Sequence, residues 1–201
     1  REMAGFPVRT RTMDIHTIGA GGGSIAWVDA GGLLKVGPQS AGAHPGPAAS
    51  VGGTRPTVTD ANVLLGRLNP QSLLGGRMAM HADRAREVIE KELVPKLGVD
   101  VVRAAAGVIE IINVNMMGAV RVISVEQGTD PRDFTLVAFG GAGPLHAADI
   151  ARHRPGARDR GQCRALRSWP CAPRSRGAVD RPAGGGWSAL HAEYRHAQRV
   201  Q

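Results

Sequence analysis

Short apolar runs punctuated by glycine open the chain, and longer helical periods follow. Asp14-Ile15-His16-Thr17-Ile18 leads into Gly19-Ala20-Gly21-Gly22-Gly23-Ser24. Asp14 and His16 are predicted to alternate on a strand with both side chains on one face. Ile25-Ala26-Trp27-Val28-Asp29, the turn Ala30-Gly31-Gly32 and Leu33-Leu34-Lys35-Val36 predict a hairpin over 25–36. Gly37 to Pro56 is dense in Gly, Pro, Ala and Ser and has no period, so it reads as a long loop with a wrapping or functional role.

Helical spacing takes over from there. Thr59 or Asp60 is placed to cap a helix running through Leu64, Leu65 and Leu68. Asp83 to Leu97 sets Ala85, Val88, Ile89 and Leu93 among charges, an amphipathic helix stopped by Pro95 or Gly98. Asp100 opens the strongest helix, Val101 to Val125, spanning nearly 40 Å at ~1.5 Å per residue. Its few charges (Arg103, Glu110, Arg121, then Glu126) leave most of its circumference apolar, so central burial is expected. Asp130-Pro131 makes a turn. Phe134-Thr135-Leu136-Val137-Ala138-Phe139 is predicted to be an interior strand, Gly140-Gly141-Ala142-Gly143-Pro144 to close it, and Leu145 to Ala151 to begin a helix. Strand, glycine turn and helix make an α/β unit.

Charge changes the picture only at the end of the chain. The 201 residues carry 25 Lys+Arg and 17 Asp+Glu, a formal net charge of +8. Residues 1–151 hold 14 of each sign, so the whole excess lies in residues 152–201, with 11 Arg, no Lys and three acids. The same stretch holds Cys163 and Cys171 and lacks Ile, Phe and Met. Two cysteines are too few for a disulfide framework and are not spaced as a zinc knuckle. No apolar run approaches the ~18–20 residues of a transmembrane helix, and the start has no signal-peptide core, so a cytoplasmic protein is expected. The absence of an initiator Met suggests a chain that begins mid-gene.

Both glycine clusters carry candidate chemistry. Gly19 to Ser24 lets a backbone approach a ligand closely, and its N–H groups can form an anion nest. Gly140 to Pro144 precedes a helix N-terminus, where the dipole and unpaired N–H groups favour phosphate. The alternative for each is a tight turn without a ligand, since neither matches a Walker or dinucleotide fingerprint. Asp14, His16 and His146 are the candidate catalytic residues, with His44 also considered; packing or surface roles are the competing reading. Asp60 and Asn62 read first as helix-cap chemistry, and Met116-Met117 as core.

Four segments taken together resemble the hydantoinase A / 5-oxoprolinase family: Asp14 to Asp29, Val36-Gly37-Pro38-Gln39-Ser40-Ala41-Gly42-Ala43-His44-Pro45-Gly46-Pro47-Ala48, Pro56-Thr57-Val58-Thr59-Asp60-Ala61-Asn62, and Phe139-Gly140-Gly141-Ala142-Gly143-Pro144-Leu145-His146-Ala147. The resemblance covers residues 6 to about 152. It implies part of an actin-like ATPase fold and ATP-dependent opening of a cyclic amide such as a hydantoin or 5-oxoproline. Relatives in the family are subunits of ketone carboxylases. ATP with Mg2+ is the implied cofactor, phosphorylating a carbonyl oxygen to make it a leaving group, and a hydantoinase B-type domain or subunit is the implied partner. Residue by residue, Gly140, Gly141, Ala142, Gly143 and Pro144 look like the nucleotide-side turn. Gly19, Gly21, Gly22, Gly23 and Ser24 look like a site-lining loop. The family's two phosphate-gripping glycine motifs lie upstream of Asp14 and are not in this sequence, so the isolated chain is expected to lack activity. Ala48-Ala49-Ser50-Val51-Gly52-Gly53 departs from the family's Pro-Ala-Cys-Tyr-Gly followed by a glycine pair.

The resemblance stops at Ala151-Arg152, which divides the chain into a partial hydantoinase A domain, 1–152, and a tail, 153–201. The family continues with Ala-Arg-Glu-Leu-Gly and a Val-rich strand ending at Pro. Arg154 to Trp169, back-translated and read one base forward, permits that order and spacing, so a frameshift is inferred. Only Leu166, Val179, Leu190 and Val200 supply aliphatic bulk there, so disorder is expected. The competing reading is an arginine arm that grips nucleic-acid phosphates. GC-rich DNA read out of frame also yields Arg, Pro, Gly and Ala, which disfavours a nucleic-acid partner.

Overall fold

The computed structural model describes residues 2–3, 6–7, 15–50, 52–71 and 79–152. Asp14 and the 153–201 tail, and with it the expectation of a frameshift and disorder there, lie outside the described residues. At the start, β1 (Glu2–Met3) pairs antiparallel with β2 (Phe6–Pro7). The hairpin follows as β3 (Ser24–Val28) and β4 (Leu34–Ser40), antiparallel, with Trp27 opposite Lys35 and an irregularity between Ser24 and Ala26. Its turn is local chemistry: Asp29 Oδ1 accepts from the N–H groups of Gly31 and Leu33 at 3.0 and 2.9 Å. Residues 15–18 form no strand and are exposed, so the strand expected to carry His16 is not formed there.

Helix α1 (Val58–Leu64) is capped by Thr57, not by Thr59 or Asp60. Thr57 accepts from the Asp60 N–H, and the Asp60 carboxylate returns to the Thr57 N–H, a reciprocal capping box. Helix α2 (Ala82–Glu92) ends at Leu93; α3 (Val94–Leu97) resumes around Pro95 and stops at Gly98, whose φ of 65° suits glycine. Both expected stop signals therefore act in turn. Helix α4 (Val101–Ile123) starts at Asp100, whose Oδ1 accepts from the N–H groups of Val102 and Arg103, each at 3.0 Å. Asp100→Ala is expected to lower stability by ~1 kcal/mol, read as a shift in the thermal midpoint. Helix α5 (Gly143–Arg152) is the last described element.

The core is one face of the β3–β4 hairpin packed on three helices. Ala26 and Val36 meet Val58 and Ala61 of α1, Val88 and Ile89 of α2, and Ala104, Ala105, Val108, Ile109 and Ile112 of α4. Where α4 crosses the hairpin, a Cβ on Gly107 would stand 3.2 Å from Leu34 Cδ2, so glycine permits the close approach. Asn115 Nδ2 donates to the Val36 carbonyl at 3.3 Å farther along. A second apolar group, Ala49, Val63, Leu68, Met80 and Ala85, receives Leu145 from α5.

Two expectations need correction. By length and composition alone, Val101–Gln127 could cross a bilayer. One face of α4 is instead core, while Val102 and Val114 are exposed, because among the described residues a single layer covers the helix. The burial predicted for most of its circumference is thus confined to that face. The interior strand at Phe134–Phe139 is not formed either: Phe134 is 61% and Phe139 84% exposed. A strand needs a hydrogen-bonding neighbour, and among the described residues no strand pairs with this segment. The α/β unit therefore survives only as its glycine turn and helix. The described chain is a mixture of helix with short antiparallel strands.

Candidate functional site

Both glycine loops and the start of α1 come together. Ser24 closes the first loop on itself: the Gly21 N–H donates to Ser24 Oγ at 2.9 Å, and the Ser24 N–H to the Gly21 carbonyl at 3.1 Å. The Gly22 carbonyl then accepts twice from Thr59, from its N–H at 2.8 Å and its hydroxyl at 2.9 Å. A Cβ on Gly22 would lie 2.8 Å from Thr59 Oγ1 and 3.6 Å from the Ala142 side chain. That distance sets the first loop against the second, 120 residues later in the chain.

Steric surroundings separate the two clusters. Gly22 and Gly23 are closely packed, since a Cβ would stand 2.8 Å from Thr59 Oγ1 and 2.7 Å from Ser40 Oγ, while at Gly19 it would stand 3.2 Å from Pro38, a tight contact. Gly140 has a φ of 82°, a conformation that favours glycine. Gly141 and Gly143 have neither reason: a Cβ on either would meet nothing within 4 Å among the described residues. Gly21 is open in the same way. Glycine where the fold does not ask for it is what close approach of a ligand backbone or phosphate requires. Gly141 and Gly143 stand just ahead of and at the start of the ten-residue α5. There Pro144 has no N–H and the Leu145 N–H donates to the Ala142 carbonyl at 3.1 Å, so the candidate donors to a ligand are the N–H groups of Gly141, Ala142 and Gly143.

Behind this turn lies a buried polar chain. His146, in the first turn of α5, is fully buried, with Nδ1 2.7 Å from Asn113 Oδ1 of α4. Asn113 Nδ2 donates to Asp149 Oδ2 at 3.2 Å, and the same oxygen takes Arg67 at 2.6 Å. Arg152 reaches the other Asp149 oxygen at 3.2 Å. The carboxylate fixes the order of donors: Asn113 must turn its amide nitrogen to Asp149 and its oxygen to His146. His146 therefore donates from Nδ1–H, and Nε2 carries the lone pair. That Nε2 is buried with no partner among the described residues. Burial first and the Arg67 charge second hold the imidazole below its usual pKa range, with Asp149 pulling partly the other way.

The sequence candidates fall in unlike environments. His16 and His44 are exposed, whereas His146 is enclosed. Asp60 is fully buried in the capping box and also accepts from the Ala49 N–H at 2.7 Å. Burial pushes its carboxyl up from the ordinary range, against the hydrogen bonds from Thr57, Ala49 and Ala48. Asn62 is buried in α1, where Nδ2 donates to the Val58 carbonyl at 3.0 Å. Met117 is core and Met116 is half-buried against it. Arg67, Asn113 and Asp149 were not singled out by sequence reasoning. The available signals were an asparagine inside the apolar run Ile111-Ile112-Asn113-Val114 and the i, i+3 spacing of His146 and Asp149. Among the described residues no three His, Cys, Asp or Glu side chains converge as a metal site. A surface depression lined by Leu34, Leu97, Val99, Arg103 and Glu110 shares no residue with either glycine loop.

Comparison with known proteins supplies the remaining findings. A hydantoinase/oxoprolinase family model matches residues 1–156. The caprolactamase subunit alpha of Pseudomonas jessenii is 46% identical over 140 residues, covering 69% of this chain and 20% of that one. The acetophenone carboxylase gamma subunit of Aromatoleum aromaticum is 45% identical over 145 residues, covering 71% and 20%. The crystal structure of the ATP-dependent caprolactamase from Pseudomonas jessenii superposes with a TM-score of 0.65 at 46% identity, over 69% of this chain and 20% of that one. The chain thus spans about a fifth of the length of each of these two relatives.

Proposed function

The chain belongs to the hydantoinase/oxoprolinase family, and from that premise we propose that it forms the nucleotide-turn portion of an ATP-dependent enzyme that opens a cyclic amide. The carrying observation is the pair Gly141 and Gly143: open space at both Cβ positions, ahead of a helix N-terminus and against the Gly22 loop. Bound ATP would supply a phosphoryl group that converts an unreactive amide oxygen into a leaving group. The chain's own part is to present the N–H groups of Gly141, Ala142 and Gly143 to phosphate oxygens and to hold that turn still. Mg2+ would be held through the phosphates and at most one or two carboxylates, its ordinary habit. Family resemblance supports an actin-like ATPase fold for the whole enzyme and a hydantoinase B-type partner, and the subunit names of both relatives support a multi-subunit assembly.

Three N–H contacts to an ionised phosphate at ~1.5 kcal/mol net each, the low end for a charged partner, total ~4.5 kcal/mol and predict a dissociation constant near the millimolar range for this turn acting by itself. Titration of the 15N-labelled chain with MgATP should move the amide resonances of Gly140 to His146 and leave those of the β3–β4 turn in place. Movement confined to other residues, or none up to 10 mM (roughly ten dissociation constants), overturns the assignment. A second reading is a ketone carboxylase subunit, favoured by the acetophenone carboxylase similarity. Chimeras carrying residues 15–152 in the caprolactamase alpha subunit separate the two: ATP hydrolysis driven by a lactam supports ring opening, and hydrolysis driven only by a ketone with bicarbonate supports the second.

A further inference from the structure

We propose that His146 is the positioning residue of the nucleotide-facing turn, fastening the first turn of α5 to Asn113 of α4 as a neutral Nδ1–H imidazole. The inference rests on the assignment of Gly140–Pro144 to nucleotide. Three observations carry it. His146 lies three residues after Gly143 and is fully buried, so whatever holds its ring holds the helix start. Its Nδ1–H donates to Asn113 Oδ1 at 2.7 Å, and Asn113 is itself oriented by Asp149, which Arg67 grips from the segment after α1. Helix α5 is therefore tied at positions 146 and 149, one turn apart, to two different parts of the body. The tie fixes both where the N-terminus stands and how it is rotated about its axis.

The bare Nε2 explains why histidine serves here. Protonation would place a second N–H in a site where no acceptor stands among the described residues, beside the Arg67 guanidinium. Both the missing acceptor and the neighbouring charge favour the neutral ring with its proton on Nδ1, which keeps the donor to Asn113. A glutamine could reproduce that one donor. A leucine could fill the space but not make the bond.

The first experiment reads the wild-type chain directly. Its 15N spectrum at pH 7 should show His146 protonated at Nδ1 and bare at Nε2, with a slowly exchanging Nδ1–H. An Nε2–H tautomer or an imidazolium overturns the proposal. The second compares His146→Leu with His146→Gln. His146→Leu should displace the Gly141 and Gly143 amide resonances before any nucleotide is added and raise the MgATP dissociation constant at least tenfold. His146→Gln should return both to within about threefold of wild type. A His146→Leu chain whose turn resonances and affinity are unchanged, whatever its melting point, sinks the idea. If wild type shows no MgATP response at 140–146, the nucleotide assignment has failed. The tautomer and the nucleotide-free displacement then still decide the role of His146.

Discussion

Asp60→Ala should cost about 3–5 kcal/mol of stability, the largest loss expected from any single side chain in the described body. Asp60 is fully buried and accepts from four groups: the Ala49 N–H at 2.7 Å, the Thr57 hydroxyl at 2.7 Å, the Thr57 N–H at 2.9 Å and the Ala48 N–H at 3.4 Å. Two of these donors, Ala48 and Ala49, belong to the loop that follows β4 and two to the cap of α1. The carboxylate thus joins residues 41–50, which form neither helix nor strand, to the start of a helix. Removing it strands buried donors at ~1–3 kcal/mol each, partly relieved by water entering the gap. Asp60→Asn keeps the shape but turns an NH2 toward donors, and should recover only part of the loss. Urea unfolding checks this through the midpoint at unchanged slope. A loss under 1 kcal/mol for Asp60→Ala would mean the loop is held by something else.

That joint also shows what was legible in the sequence. Helix periodicity and caps are local, so α1, α2 with α3, α4 and α5 could be read from runs of ten to twenty residues. The 25–36 hairpin was readable because Asp29 and Gly31–Gly32 carry the whole turn. The cap of α1 was misplaced by two residues because Thr57 and Thr59 look alike; the Thr57-x-x-Asp60 spacing decides for Thr57. Phe134–Phe139 was misread for a different reason. Apolar content states that a segment wants burial, but a strand exists only where another backbone offers a ladder, and six residues cannot say where that is.

The candidate site was half legible on the same grounds. Glycine runs announce their own loops, and a helix does follow Gly140–Ala142, although it starts at Gly143 and not at Leu145 as expected. Nothing local announces that Gly22 meets Ala142, or that Arg67, Asn113 and Asp149 converge beside His146. Arg67 and Asp149 are 82 residues apart in sequence, and Asn113 and His146 are 33 apart. Such contacts depend on how α4, α5 and the segment after α1 pack, which is a tertiary fact.

Gly141→Val should leave stability within about 0.5 kcal/mol of wild type and raise the MgATP dissociation constant more than tenfold. The two halves of this expectation rest on one observation. A Cβ at Gly141 meets no atom within 4 Å among the described residues, and its φ lies outside the left-handed region, so the fold does not resist the side chain. A phosphate drawn to the N–H groups of this turn would meet the two added methyl groups. Gly22→Val is the contrasting control: its Cβ would press on Thr59 Oγ1 at 2.8 Å, with the Ala142 side chain in ordinary contact beyond, so it should lower the melting point and disturb the loop contact directly. Calorimetry with an MgATP titration separates these outcomes. A Gly141→Val chain that binds nucleotide as wild type does would make Gly140–Pro144 an ordinary turn and move the search for the phosphate site elsewhere. A chain that melts early would instead show that Gly141 is packed by groups outside the described residues.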